Sequence, residues 1–268
     1  MKFSKFPIYI VDAFTKELFK GNQAAVMPLD SWLSESMMQS IASENNLSET
    51  AFFVKNNEGI YEIRWFSPLK EIDFCGHATL ASAYVIFNYL GEKGTIKFWA
   101  KAVNTIEVNL RDNGLIEMSF PNRAPERVSE VPEALKTGLF ITPLEFHKNQ
   151  QAYFAVYASE DDVKKVVPDL EKLKTLAPLD VVVTAPSVEY DFASRYFWPA
   201  NGGVEDPVTG SIHAGLAPFW AKRLGKTELV ALQASQRTGV LNCRVTEERI
   251  FISGACKAYL EGSISIPF

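Results

Sequence analysis

The chain has 268 residues, 47% hydrophobic and 22% charged, an ordinary mix for a folded protein with ample core in one large or two modest domains. A net charge of −5 without any basic run of five or six residues excludes a nucleic-acid or anionic-membrane footprint, and no stretch approaches the roughly 18–20 apolar residues that span a bilayer. Cys75, Cys243 and Cys256 share no CxxC spacing and the opening MKFSKFPIYIVDAF lacks the apolar core of a secretion signal, so the expected setting is cytoplasmic, without disulfides or structural zinc.

Strand-like runs rich in β-branched and aromatic residues come first, at 7–14, 23–29, 49–54, 60–66, 95–100 and 115–120. Among them stand an amphipathic helix over 33–46 and an apolar helix over 77–91. The polar stretch PNRAPERVSEVP (121–132) then breaks the pattern and divides the chain into halves 1–122 and 123–268. Strands resume at 151–157, 180–186, 192–198, 240–245, 249–254 and 255–262. A charged surface helix over 161–175 is interrupted near Pro168, and a second apolar helix runs over 211–225.

The two apolar helices have no polar face over their first ten residues, so each must be buried on every side. Their neighbourhoods match. RWFSP (64–68) precedes the first and RYFWP (195–199) the second, and Gly76 and Gly210 stand just before each helix. This reads as an internal duplication: an α+β fold of two similar halves, each a curled, mostly antiparallel sheet wrapped round a central buried helix. The two helix starts are then expected to face a shared cleft.

A helix start preceded by glycine offers free N–H groups and the positive end of the dipole to an anion. Gly76, Gly210 and Ser211 are therefore candidate holders of a carboxylate, although Ser211 reads equally as an N-cap and Gly210 as a turn. Of His77, His147 and His213, only His77 lies near a second ligand, Cys75. No further cluster completes a tetrahedral shell, so no metal is expected. Cys75 at a helix start is either an activated thiol paired with His77 or an inert buried residue, and the matching place in the second half holds Thr209. Glu49 opens an otherwise apolar strand, where desolvation raises a carboxylate's pKa and suits it to carry protons to and from carbon. Asp206 is either a turn residue before Pro207 or a partner for a substrate amine or hydroxyl.

Six segments in order, VDAFTKELFKGNQAAVM, NNLSETAFF, RWFSPLKEIDFCGHATLA, EDPVTGSIHAGLAPFW, QASQRTGVL and GACKAYLEGSI, resemble the phenazine-biosynthesis (PhzF-like) isomerase family, within the diaminopimelate-epimerase fold group. Two departures stand out: Gln23 where the family usually has proline, and Thr238 in place of the second glycine of RGG. The resemblance implies a homodimeric isomerase without cofactor, acting on a small carboxylic acid, in which one glutamate moves a proton between carbons. It assigns that role to Glu49, with His77 and Asp206 in the cleft, Gly210 and Ser211 on the carboxylate, and Asn22 as a substrate contact; the helix start at Gly76 is a further candidate carboxylate holder. Epimerases of this fold place a cysteine before each glycine; keeping only Cys75 favours chemistry with one base. A racemase using Cys75, or a silent protein that binds a small acid, are the alternatives.

Overall fold

The computed structural model describes residues 3–267. The chain divides into two units: residues through Ser119 together with those from Ser253 onward, and residues Phe120–Ile252. The division lies close to the sequence boundary at 122/123. What the sequence does not show is that strand Cys256–Pro267 returns to the first unit, where it pairs antiparallel with Phe3–Ala13 along nearly its whole length. A local pattern identifies a strand but not its distant partner.

The units repeat one pairing scheme. In the first, Asn22–Leu29 runs parallel to Glu49–Lys55, which pairs antiparallel with Tyr61–Phe66. That strand takes the short return strand Glu71–Ile72 antiparallel and Thr95–Ala100 parallel, and Asn104–Leu110 follows antiparallel. In the second, Ala152–Val156, Asp180–Pro186, Phe192–Phe197, Glu205–Asp206, Glu228–Gln233 and Gly239–Val245 follow the same sequence of parallel and antiparallel partners. The duplication read from RWFSP and RYFWP is thus a duplication of topology.

Each sheet has two covered faces. In the first unit, helix Gly76–Tyr89 lies against one face with eleven of its residues buried, as its lack of a polar side requires. Helix Glu35–Asn45 covers the other face through Met38 and Ile41, which pack on Met27, Phe52 and Phe66. In the second unit, helix His213–Leu224 is the buried helix. The short helices Glu133–Thr137, Glu160–Lys165 and Leu170–Lys174 pack through Leu135, Val163 and Leu173 on Val181, Val183 and Phe197. The break between the last two of these helices brackets Pro168. Among the described residues, no helix is long and apolar enough to cross a membrane.

Three strands longer than two residues escape the sequence reading: Asn104–Leu110, Glu145–Lys148 and Glu228–Gln233. Each carries polar residues on a half-exposed face, which dilutes the apolar pattern. Helix 211–225 also needs correction. It begins at His213 with Ile212 as its cap, and Ser211 lies in the turn ahead of it without capping it.

The repeated Arg-aromatic-Phe has a structural reason. Arg64 forks onto Glu71, Nε to Oε1 at 2.7 Å and Nη2 to Oε2 at 2.6 Å, while Arg195 forks onto Glu205 with both bonds at 2.8 Å. Each guanidinium also lies over the phenylalanine two residues on, Phe66 at 5.2 Å and Phe197 at 5.0 Å. Arg195 further donates to the carbonyls of Val163, Lys164 and Val166 at the end of a helix and is the more buried of the two, with 13% of its side chain exposed against 29%. Arg195→Met leaves Glu205 and three carbonyls uncompensated and should cost about 3 kcal/mol. Arg64→Met should cost about 1 kcal/mol. Urea unfolding of both variants checks this, and equal losses would contradict it.

Candidate active site

Glu49 is the first residue of strand Glu49–Lys55, opposite Ala24 in the parallel register, on the face that meets helix Gly76–Tyr89. Asn22 opens the neighbouring strand and follows Gly21, whose φ of +66° and tight turn exclude a side chain: a Cβ there would sit 2.1 Å from the Ala13 carbonyl oxygen. Gly76 is the first residue of the helix, His77 the second, and Cys75 its cap. Four side chains from three places in the sequence therefore converge.

Glu49 Oε2 lies 3.0 Å from His77 Nε2, and the two side chains are only 11% and 6% exposed. The contact is an ion-pair contact without hydrogen-bond alignment: Glu49 Oε2 is buried with no aligned partner among the described residues. On the other side of the ring, the Asn22 amide nitrogen is 3.1 Å from Nδ1, and Cys75 Sγ is 3.4 Å from it. A neutral ring with its proton on Nε2 accepts from the amide; an imidazolium is served by the same amide turned over, so that its oxygen accepts.

Burial opposes charge on His77, but the Cys75 sulfur and the Glu49 carboxylate beside it outweigh burial and hold its pKa well above the ordinary value. Cys75 moves in the same direction with the opposite consequence. Burial, reinforced by the charge of Glu49, pushes its thiol up to about 11, so at neutral pH the sulfur keeps its proton. A helix start does not activate a thiol that is buried beside a carboxylate.

The second unit holds the other assigned residues. Asp206 Oδ2 accepts from the Thr209 hydroxyl at 2.5 Å, and buried Gln233 fastens this turn, accepting from Thr209 N at 2.8 Å and donating to the Asp206 carbonyl at 2.8 Å. Ser211 Oγ accepts from Gln151 Nε2 at 2.9 Å. Gln151 also reaches the Tyr196 hydroxyl, which donates to Asp180 at 2.7 Å. Gly210 is buried in the turn, and its carbonyl accepts from His213 N. Gln151 and Gln233 escaped sequence reasoning as supports of Ser211 and Asp206. Gln151 opens the apolar run QAYFAVY, in which a lone glutamine reads as a surface residue, and Gln233 ends ELVALQ, a strand the sequence does not reveal.

His213 contrasts with His77. It is fully buried, donates Nδ1–H to the Thr209 carbonyl at 2.9 Å, and burial lowers its pKa to about 4. It is a neutral structural histidine.

Comparison with known proteins identifies the chain as an isomerase-type enzyme. The phenazine biosynthesis-like (PhzC-PhzF) family matches residues 11–262, and the chain belongs to it. An uncharacterized isomerase of Pseudomonas aeruginosa is 44% identical over 259 residues, 97% of this chain and 98% of that one. The crystal structure of a PhzF-family phenazine biosynthesis protein from Enterococcus faecalis matches with a TM-score of 0.93 at 43% identity, over 97% of this chain and 99% of that one. A hydroxyproline epimerase from Agrobacterium vitis, solved with trans-4-hydroxy-L-proline bound, shares the fold alone, with a TM-score of 0.60 and 10% identity over 98% of this chain and 93% of that one.

The two histidines should titrate in opposite senses. In imidazole NMR spectra at neutral pH, His77 should be charged and lose that charge in Glu49→Gln, while His213 stays neutral. The signs carry into stability. His77, with its raised folded pKa, stabilises fully below about 6.5, and the contribution fades as pH rises through the folded value. His213, lowered to about 4, stabilises above its unfolded value near 6.5, and that contribution is lost as pH falls towards 4, for a total of about 3 kcal/mol. Denaturant unfolding from about pH 7 to pH 4 should show this extra acid sensitivity in the wild type relative to His213→Asn.

Proposed function

We propose that the protein is a cofactor-independent isomerase of a small carboxylic acid in which Glu49 is the single acid–base group. The observation that carries this reading is the buried Glu49–His77 contact at 3.0 Å beside a thiol that stays protonated at neutral pH. Glu49 as carboxylate takes a proton from a carbon next to an activating group, becomes the carboxylic acid, and returns the same proton to another carbon of the conjugated system. Acid and base are regenerated within one turnover, so no external reductant, oxidant or proton carrier is consumed.

His77 is placed to balance charge. As imidazolium it neutralises Glu49 while the reacting carbons of the substrate carry no charge. When the proton moves to Glu49, His77 faces the negative charge developing on the substrate, where a donor fixed in a dry site is worth most. Asn22 serves both protonation states of the ring. In the second unit, Gly210 and Ser211 are the proposed carboxylate holders and Asp206 the partner of an amino or hydroxyl group. Gln151 supports the assignment of Ser211, because its N–H occupies a lone pair of Oγ and leaves the hydroxyl hydrogen to donate elsewhere. A homodimer in the cytoplasm completes this reading, by likeness to the family.

The racemase alternative needs Cys75 as thiolate, which burial beside the Glu49 carboxylate disfavours at neutral pH. The test is proton exchange in D₂O, followed by NMR over a panel of amino, hydroxy and cyclohexadiene carboxylic acids. Deuterium should enter one acid in the wild type, and Glu49→Gln should slow entry by on the order of 10²–10⁴-fold. Exchange that survives Glu49→Gln and disappears in Cys75→Ser would move the chemistry to the thiol. Tight binding of an acid without exchange would make the protein a binder.

A further inference from the structure

The sequence offers Cys75 and His77 as two neighbouring metal ligands and nothing to complete them. The fold adds a third. Glu49, from a strand 26 residues upstream of Cys75, brings Oε2 to 3.0 Å from His77 Nε2, and Cys75 Sγ stands 3.9 Å from the same nitrogen. One ligand atom from each of the three residues lies within 4.8 Å of the others, all three residues are buried, and no other such group occurs among the described residues. Metal–ligand bonds of about 2.0–2.3 Å in a tetrahedral shell separate neighbouring ligand atoms by roughly 3.2–3.8 Å. The observed spacings lie close to that range, and a side-chain adjustment of about 1 Å reaches it.

The donor types matter as much as the spacing. One sulfur, one imidazole nitrogen and one carboxylate oxygen suit a borderline-soft cation, and three protein ligands leave a fourth position open. The outer support is also present. A histidine that binds metal through Nε2 donates its Nδ1–H to a fixed acceptor, and the Asn22 amide stands 3.1 Å from Nδ1, able to present its oxygen.

The geometry points to Glu49, Cys75 and His77 as a three-ligand site for a thiophilic divalent cation of the zinc class, occupied in competition with the proton chemistry of the same residues. On binding, the Cys75 S–H bond and the Nε2–H bond of the His77 imidazolium both break, sulfur–metal and nitrogen–metal bonds form, and the two protons pass to solvent. Glu49 Oε2 and His77 Nε2 give their lone pairs to the metal, so neither can exchange a proton with a substrate. The competition rests on the reading of Glu49 as the proton carrier; the site itself does not.

Cobalt(II) titration of the whole chain under reducing conditions tests the site. One cobalt per chain should bind, with a thiolate-to-cobalt charge-transfer band in the near ultraviolet. Cys75→Ser should abolish the band, Glu49→Gln should weaken binding at least about tenfold, and Asn22→Ala should weaken it by about 10–100-fold. Cadmium-113 NMR of the wild type, which needs no variant to fold, should give one resonance in the range for a single sulfur with nitrogen and oxygen. A band that persists in Cys75→Ser would place the metal on Cys243 or Cys256 and overturn the site, as would a cadmium shift typical of oxygen ligands alone or no binding. Zinc should stop the D₂O exchange and a chelator should restore it. Exchange that continues in fully zinc-loaded protein overturns the competition. If Glu49→Gln then also exchanges normally, the proton-transfer reading is what failed, whereas a silent Glu49→Gln leaves that reading intact.

Discussion

Helix Gly76–Tyr89 has no side on which water is welcome, and much of the first unit can be understood as the means of enclosing it. Strands Phe3–Ala13, Asn22–Leu29, Glu49–Lys55 and Cys256–Pro267 all pack against it. Enclosure removes solvent from the helix start as well as from its apolar body. Polar groups brought there lose water and must satisfy one another. Glu49, His77, Cys75 and Asn22 are thrown together there, and the raised pKa values of His77 and Cys75 arise in that shared enclosure. The charge chemistry of the site is a product of hydrophobic burial.

The second unit repeats the scaffold without repeating the chemistry. Its pairing scheme is the same, and the arginine fork onto a return strand recurs with nearly the same geometry. At the helix start, however, Thr209 stands where the first unit has Cys75, and the turn is tied by Gln233, Asp206 and a neutral His213. One copy carries a charged, titratable group and the other a hydrogen-bonded turn whose histidine stays neutral. Duplication followed by unequal use gives a protein two kinds of helix start from one design.

The sequence makes legible what depends on local pattern. The two buried helices follow from their missing polar faces, the repeat from Arg64 and Arg195, and the strand bearing Glu49 from SETAFF. The convergence of Glu49 with His77 needs the fold, because a parallel pairing with Asn22–Leu29 sets it. The inertness of the Cys75 thiol is likewise invisible in sequence: a helix start lowers a thiol's pKa, burial raises it, and only the structure weighs the two. Ser211 reads as a helix cap by residue type, yet the helix begins at His213, because Gly210 and Ser211 turn before it. Gln151 opens an apolar run and Gln233 ends a strand hidden from the sequence, so their polar roles emerge only with their partners.

The return of strand Cys256–Pro267 to the first unit makes the second unit, in topological terms, an insertion between two parts of the first. During synthesis the residues of Phe120–Ile252 are all available before the strand that closes the first sheet leaves the ribosome. The second unit can therefore complete its pairings while the first still lacks the long partner of Phe3–Ala13. The cluster around Glu49 depends on the sheet that waits. The order of residues along the chain thus leaves the first sheet without its long closing partner until the second unit has been made.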